Sequence, residues 1–310
     1  MAEVRVVIPT LNAERYLPDL LGGLSKQPIA PAQVLVIDSA STDRTRELCE
    51  AWGATVVMID RAEFNHGGTR ARAIELVPDA PVIVMMTHDA IPVDETTLPK
   101  IVSAFDDPEV GMAYGRQLPR PGSRGVERFS RYHNYSAENE TRSLADAARL
   151  GVKTTFCSNS FAAYRRTAYE QVGGFPLDAF FAEDQVTAGR MLLAGWKLTY
   201  RADAQVYHSH AYSVKEDFNR YFDVGVFHAR NAWLRKEFGS AEGEGIRFLT
   251  REMGYLLRND PVQLPSAAAR TVAKYLGYRL GRIEERLSNK TKARLSMQPF
   301  YWRRQPERGT

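Results

Sequence analysis

The first 115 residues alternate short apolar runs with amphipathic stretches. The runs, rich in Val and Ile, lie at residues 4–10, 33–38, 54–59, 82–86 and 110–115. Unbroken apolar runs of this length predict strands covered on both faces, as in parallel sheets. The stretches between them repeat apolar residues at helical spacing. This order predicts an α/β fold with a doubly wound, mostly parallel sheet.

Three of these runs end in polar residues, namely Thr10, Asp38 and the pair His88-Asp89. In such sheets the ligand crevice lies at the carboxyl ends of the strands, so these side chains are candidates for one site. A carboxylate at position 89 can bind a divalent metal, pair with a base or cap the following helix.

The middle of the chain is less regular. Residues 116–128 are rich in Pro, Gly and Arg and indicate a loop, and periodicity stays weak to residue 150. This insertion lines an acceptor groove or forms an exposed excursion. Glu183 and Asp184 then precede an amphipathic helix, where they are either catalytic acids or charges favoured by the helix dipole. His208 and His210 follow the last strand run, either as surface residues or as metal ligands.

The C-terminal region is helical and basic. Residues 228–310 carry 17 Lys and Arg against 8 Asp and Glu, whereas the rest of the chain carries 24 against 29. Apolar residues recur among the arginines at helical spacing. We expect residues 240–310 either to bind an anionic membrane surface or to pack on the catalytic body or on a second subunit, with the arginines solvated.

Composition excludes several classes of protein. The two cysteines fit no metal or disulfide pattern, no apolar run is long enough for a membrane span, and the N-terminus leaves no room for a signal peptide. We therefore expect a cytoplasmic protein, peripheral at the inner face of the plasma membrane if the basic region binds there. The net acidic body argues against nucleic-acid binding. No glycine fingerprint follows the first strand, which argues against nicotinamide enzymes, and a P-loop is absent too. A nucleotidyltransferase would need a Gly-rich loop with Arg and Lys after that strand, and Asn12-Ala13-Glu14 does not supply one.

A resemblance rests on four segments. They are Val-Ile-Pro-Thr-Leu-Asn at 7–12, Val-Ile-Asp-Ser-Ala-Ser-Thr-Asp at 36–43, His-Asp-Ala at 88–90, and Gly-Gly-Phe at 173–175 followed by Glu183-Asp184. Together they resemble a family 2 glycosyltransferase of GT-A fold. The narrower segment Phe-Asn-His-Gly-Gly-Thr-Arg at 64–70 resembles bacterial rhamnosyltransferases that use dTDP-rhamnose.

The resemblance implies a catalytic domain at 1–227, with a nucleotide-sugar half at 1–115 and an acceptor half at 116–227, and a basic helical region at 228–310. Asp184 resembles the family's general base, with Glu183 orienting its neighbours. Donor-binding residues would be Pro9, Thr10, Asn12, Asp38, Ser41, Asn65, Gly67, Gly68, Arg70, His88 and Asp89. Asp38 would accept a hydrogen bond from the pyrimidine base. Asp89, His208 and His210 would hold Mg²⁺ or Mn²⁺, although His88 stands where the family's motif has its first acid or a Gln.

The segment at 64–70 also has its own chemistry. Its paired glycines allow close backbone approach, and a helix that begins near Thr69 would offer free N–H groups and arginines to phosphate oxygens, unless the glycines only form a tight turn.

The implied reaction is inverting transfer of L-rhamnose from dTDP-L-rhamnose to a surface-polysaccharide or polyprenyl-linked glycan. Use of another UDP- or dTDP-hexose, and an inactive nucleotide-sugar-binding module, remain as alternatives.

Overall fold

One mixed sheet of nine strands organises residues 4–240 and 243–306, which are the residues described by this computed structural model. The strands are β1 Val4–Thr10, β2 Val34–Asp38, β3 Thr55–Met58, β4 Val82–Met86, β5 Ile91–Pro92, β6 Val110–Leu118, β7 Glu140–Arg142, β8 Phe161–Arg165 and β9 Lys197–Tyr207. Their order is β3-β2-β1-β4-β8-β6-β9-β5, and β7 pairs with β9. The strands β1 and β4 have the predicted bounds.

The prediction of a mostly parallel sheet is confirmed, because β6 and β9 pair in parallel and run in the same direction as β1, β2, β3 and β4. Strands β3, β2, β1 and β4 are mutually parallel. Strand β8 runs antiparallel between β4 and β6, and β9 pairs antiparallel with β5 and β7. Periodicity predicts that a strand is buried but not its direction, which depends on how the irregular segment before β8 returns to the sheet. Strand β6 also extends three residues into the predicted loop at 116–128.

The helices cover the sheet and form the C-terminal region. They are α1 Leu17–Leu24, α2 Thr45–Trp52, α3 His66–Glu75, α4 Thr97–Val102, α5 Gly125–Asn134, α6 Ala147–Leu150, α7 Arg166–Gln171, α8 Glu183–Leu193, α9 Val214–Arg230, α10 Ala232–Phe238, α11 Glu244–Asn259, α12 Leu264–Gly281, α13 Asn289–Leu295 and α14 Pro299–Arg304. A buried core joins side chains from β1, β2, β4 and β8 to those of α1 and α4. None of the described helices is both long enough and apolar enough to cross a bilayer.

The chain divides into two units. The first contains the residues up to Pro121 and Asn134–Ser209, and the second contains Gly122–His133 and the residues from His210 onward. The helical second unit therefore includes residues 210–227, which belong to the catalytic domain predicted at 1–227. The division of the first unit into donor and acceptor halves stays a prediction.

In the second unit, α9 and α12 pack through glycines. A Cβ on Gly277 would lie 2.3 Å from the carbonyl oxygen of Phe218, and one on Gly281 would lie 2.1 Å from that of Phe222. Gly225 of α9 faces the same contact, where a Cβ would lie 2.3 Å from the carbonyl oxygen of Tyr278. Because hydrogen atoms alone fit between these backbones, the glycine face of α12 is buried and its larger apolar side chains lie elsewhere.

Gly281→Ala should therefore destabilise the second unit. The added methyl group forces the two helices apart, at a cost of about 1–3 kcal/mol, as for other overpacked sites. Gly254→Ala in α11 is the matched control, because a Cβ there meets no atom within 4 Å. That variant should be neutral or more stable by about 0.5–1 kcal/mol. Urea denaturation would compare them, and equal midpoints for Gly281→Ala and the wild type would contradict the packing.

Candidate active site

The loops after β1 and β2 are joined by hydrogen bonds around Asp38. This carboxylate is fully buried and accepts bonds from the hydroxyl of Thr10 at 2.7 Å, the hydroxyl of Ser41 at 2.6 Å and the N–H of Ser41 at 2.8 Å. The N–H of Asn12 donates to the Ser41 hydroxyl, and the Asn12 amide oxygen accepts from the N–H of Thr42. Asp38 thus shapes the loop itself, and its contact with a base stays a prediction.

Three residues other than glycine have left-handed backbone conformations in the described chain, and all three lie in these loops or next to the acid pair. Asn12 has φ 47°, Ala40 has φ 57° and Ala182 has φ 55°. This conformation is unfavourable for residues with a Cβ and is concentrated at functional sites. The left-handed conformation changes the direction of the backbone shortly after β1, shortly after β2 and immediately before Glu183.

A candidate metal centre lies at the end of β4. Asp89, His208 and His210 each offer a ligand atom, and these atoms all lie within 4.8 Å of one another. Nε2 of His208 lies 3.4 Å from Oδ2 of Asp89, and both side chains are buried. One carboxylate and two imidazoles form a donor set that can hold a divalent transition-metal ion.

Gln117 of β6 fixes the orientation of His208. Its amide nitrogen donates to the hydroxyl of Ser158 at 2.9 Å, so its amide oxygen faces Nδ1 of His208 at 2.8 Å and accepts from that nitrogen. With Nδ1 bonded to Gln117, Nε2 is the nitrogen of His208 that faces Asp89 and is placed to bind a metal. Histidine ligands of metals are commonly held in this way.

Arg120 also belongs to the site. Its guanidinium donates to the backbone oxygen of Asp89 at 2.8 Å, lies 3.8 Å from the carboxylate of that residue and stacks over the ring of Tyr16 at 4.7 Å. The ring of Tyr16 also lies 5.5 Å from that of His88, whose Nδ1 is 3.5 Å from the carbonyl oxygen of Pro9. Sequence reasoning missed Arg120 and Gln117, since both lie in the predicted loop at 116–128, and Gln117 belongs instead to β6.

Glu183 and Asp184 begin α8 and have different surroundings. Glu183 is buried against Arg70, with Oε1 3.0 Å from the guanidinium, and accepts a second bond from the side-chain amide of Asn159 at 2.9 Å. Asp184 is half-buried and accepts from the backbone N–H groups of Asn159 and Gln185, both at 2.8 Å. The hydroxyl of Tyr164 donates to the amide oxygen of Asn159 and so fixes its orientation.

These surroundings separate the acidities of the two carboxyl groups. Burial raises the pKa of Glu183, but Arg70, His66 and the hydrogen bond from Asn159 together outweigh burial and hold that pKa below its ordinary value. Burial, with the adjacent charge of Glu183, raises the pKa of Asp184 to about 7. Two acids with separated pKa values are the usual mark of an acid–base site. Asp184 can exchange a proton near neutral pH, and Glu183 stays ionised.

The segment at 64–70 does not offer the free N–H groups that the sequence predicted. Helix α3 begins at His66, and Asn65 caps it by accepting from the N–H of Gly68 at 2.6 Å. The N–H of Gly67 donates to the carbonyl oxygen of Ala179, and that of Thr69 donates to Asn65. Because these donors already have partners in the protein, the prediction of free N–H groups was wrong for this helix end, and contact of the segment with the donor stays a prediction.

The metal centre and the acid pair are connected through adjacent residues. Ser158 ends the network that starts at His208, and Asn159 holds both Glu183 and Asp184. Asp89 follows β4, Asn12 follows β1 and Ser41 follows β2, three neighbouring parallel strands. The structure thus brings these predicted residues to the carboxyl ends of the parallel strands. Arg70, Gly67 and Gly68 lie in α3, next to the acid pair.

Comparison with known proteins identifies the family. The sequence profile of glycosyl transferase family 2 matches residues 5–173, which contain the loops, Asp89 and Asn159. The chain belongs to this family. It is 42% identical to the O-antigen chain rhamnosyltransferase RfbN of Salmonella typhimurium, over 97% of this chain and 96% of that one. The identity is also 42% to the O-antigen chain rhamnosyltransferase WbaN of Salmonella anatum, over the same shares.

Solved structures show that this glycosyltransferase has the predicted GT-A fold. The mannosyltransferase PcManGT of Pyrobaculum calidifontis, in complex with GDP-Man and Mn²⁺, aligns with a TM-score of 0.57 and 18% identity over 98% of this chain and 88% of that one. TarS residues 1–349 of S. aureus aligns with a TM-score of 0.54 and 18% identity over 92% and 91% of the two chains. At such identity these likenesses concern the fold alone.

The metal centre gives the first prediction for the site. Asp89→Asn should abolish Mn²⁺ binding in the presence of dTDP, because it removes the only carboxylate of the donor set. Gln117→Met should weaken Mn²⁺ binding about 10- to 100-fold, since His208 loses the acceptor that orients it. Calorimetric titration with Mn²⁺ measures both. Gln171→Met, at an exposed glutamine of α7, is the control, and unchanged affinity in Asp89→Asn would refute the site.

Proposed function

We propose that this glycosyltransferase transfers L-rhamnose from dTDP-L-rhamnose to a hydroxyl of a surface-polysaccharide glycan, with inversion at the anomeric carbon. The observation that carries the proposal is Asp184, a half-buried carboxyl group whose pKa of about 7 suits a general base at neutral pH. The choice of sugar and acceptor rests on the 42% identity to RfbN and WbaN over almost the whole chain.

In the proposed reaction Asp184 takes the proton of the acceptor hydroxyl. The acceptor oxygen forms a bond to the anomeric carbon as the bond from that carbon to the diphosphate oxygen breaks, and the electron pair leaves with the diphosphate. Attack from the face opposite the leaving group inverts the centre. The backbone N–H groups of Asn159 and Gln185 hold the carboxylate in place, so its free lone pairs are the ones that meet the acceptor.

The diphosphate of the donor would lie beside Asp89. A divalent cation held by Asp89, His208 and His210 would supply positive charge that offsets the charge developing on the leaving group. Arg120 supports the same task, because its guanidinium already contacts Asp89 and is half-buried there. Asn12, Asp38 and Ser41 would hold the pyrimidine and ribose. These contacts do not separate thymine from uracil, so a UDP- or dTDP-hexose other than rhamnose is the second candidate donor.

A lipid-linked acceptor would require attachment to a membrane surface, which we propose for the second unit. Helix α12 presents a row of exposed residues opposite its glycine face: Pro265, Ala268, Ala269, Val272, Tyr275, Leu276 and Arg279. The helix contains no acidic residue, and Arg282 and Arg286 follow it, both exposed. An apolar face bordered by arginines fits the interface of an anionic bilayer. The predicted range of 240–310 includes residues 241–242 and 307–310, which lie outside the described residues.

Competition between donors tests the proposed function. The protein should turn over dTDP-L-rhamnose in preference to UDP-glucose when both are supplied with a rhamnose-accepting lipid-linked glycan and Mn²⁺. Product anomers resolved by NMR report whether the anomeric centre inverts. Equal or better use of UDP-glucose would contradict the donor, and retention of configuration would contradict the single displacement.

Asp184→Asn should bind the donor normally and lose at least about 100-fold in turnover, because the base acts only in the transition state. In the wild type, the rate should rise with pH through about 7, since the active form is the ionised one and its pKa is raised to that value. Initial rates between pH 5.5 and 8.5 measure both effects. Asp178→Asn, an exposed acid in the preceding loop, should leave rate and profile unchanged. Wild-type turnover in Asp184→Asn would show that the base lies elsewhere.

Flotation tests the membrane surface. The protein should float with vesicles that contain phosphatidylglycerol and less with pure phosphatidylcholine, since each basic residue near an anionic surface contributes about 1 kcal/mol. The Val272→Glu/Leu276→Glu variant should lose binding, because both positions are exposed, at 58% and 49%. Leu177→Glu, 67% exposed in the first unit, is the control. A wild type that never floats, or a double variant that floats equally well, would favour a packing role for this face.

A further inference from the structure

The buried pair between Arg70 and Glu183 points to a task for the segment at 65–70. The guanidinium lies 3.0 Å from Oε1 of Glu183, and the two side chains are only 6% and 4% exposed. The same guanidinium lies 2.9 Å from Nδ1 of His66. With these partners and this burial, Arg70 faces the start of α8 inside the protein and not a solvent-filled donor cleft.

Gly67 provides a second attachment to the segment that precedes α8. Its N–H donates to the carbonyl oxygen of Ala179 at 2.9 Å, and a Cβ at this position would lie 1.8 Å from the carbonyl oxygen of Pro176. Only glycine allows this approach. The first turn of α3 is therefore fixed both to the loop at 176–179 and to the first residue of α8, four residues further on.

Asn159 completes the arrangement on the other side. Its side-chain amide binds Glu183 while its backbone N–H binds Asp184, so the two acids are held by one residue. Since Glu183 is anchored by Arg70 and Asn159 together, the adjacent Asp184 has little freedom to turn away from its two backbone donors.

The titratable groups around Asp184 have defined charges at neutral pH. Burial, with the charge of Arg70, lowers the pKa of His66 to about 4, so this imidazole is neutral. Burial raises the pKa values of Cys157 and Tyr164 well above their ordinary ranges, so both stay protonated. The charges that Asp184 meets are therefore those of Glu183 and Arg70.

We infer that Arg70 is a positioning residue for the general base: acting through Glu183, it fixes the first turn of α8 and thus the carboxylate of Asp184. The segment at 65–70 then serves deprotonation of the acceptor and not recognition of the donor diphosphate. The inference rests on the proposed role of Asp184 as base, but it does not depend on which sugar is transferred.

Steady-state kinetics separates the two tasks. Arg70→Met should lower kcat at least about 10-fold with the donor KM within about twofold of wild type, because the base is misplaced and the donor site is intact. Arg70→Lys, which keeps a charge beside Glu183, should recover most of kcat. Arg72→Met is the control on the same helix, since Arg72 forms an exposed ion pair with Glu63 and should leave both constants unchanged. A raised donor KM at unchanged kcat in Arg70→Met would overturn the inference.

A double variant tests whether Arg70 acts through Glu183. Glu183→Gln keeps the acceptor for Asn159 but removes the charge, so Arg70→Met/Glu183→Gln contains no unpaired buried ion and should fold even where Arg70→Met does not. The loss of kcat in the double variant should be no larger than the loss in the more severely affected single variant, because the two residues act as one unit. Losses that multiply would mean independent roles and would refute the inference.

Titration without substrate distinguishes failure of this inference from failure of the proposed function. The ¹³C-carboxyl NMR signal that disappears in Asp184→Asn reports Asp184 directly. In Glu183→Gln its titration should move to lower pH by roughly 1 unit, because a neighbouring negative charge is lost. If the wild type transfers a sugar other than rhamnose and this shift is observed, only the donor assignment fails. An unchanged titration in Glu183→Gln would refute the coupling on which the positioning role depends.

Discussion

Two adjacent acids at the start of one helix must both leave bulk water, and the architecture around the site meets this constraint. A buried carboxylate without a partner is too costly to keep ionised. Glu183 has a partner in Arg70 and stays ionised, whereas Asp184 has only backbone donors and its pKa rises to about 7. One ion pair thus gives two neighbouring carboxyl groups different chemistry. It also requires α3 to lie directly against the start of α8.

That requirement explains the glycines of α3. A side chain at Gly67 would collide with the backbone of Pro176, so the helix could not come close enough for Arg70 to reach Glu183. Two adjacent residues of the chain also connect the candidate metal centre to the acid pair. Ser158 serves the network that orients His208, and its neighbour Asn159 serves Asp184. A shift of the chain before β8 would therefore disturb both centres at once.

The second unit shows a different use of glycine. In α12 the glycines are inside and Val272, Tyr275 and Leu276 are outside, because backbone contact with α9 leaves no room for larger residues. An exposed apolar face costs nothing in packing here, since the helix is held by its other side. An exposed apolar face on a unit with many arginines is typical of an interaction surface and not of a packed core.

The sequence by itself determined the strands β1 and β4, the α/β class and the family resemblance, because unbroken apolar runs and the polar residues at their ends are local signals. It also offered Asp89, Asp184 and His208 as candidate site residues, whose roles stay predictions. It did not determine that β5, β7 and β8 run against the other strands, since burial of a strand is the same for either direction. It could not place Gln117 beside His208 or Arg120 beside Asp89, because these partners lie 91 and 31 residues away along the chain. It also assigned free N–H groups to α3, although donors such as that of Gly67 bind a carbonyl more than a hundred residues further along. Only the tertiary structure decides which polar groups find partners, because hydrogen bonds and ion pairs depend on distance in space and not on spacing in the sequence.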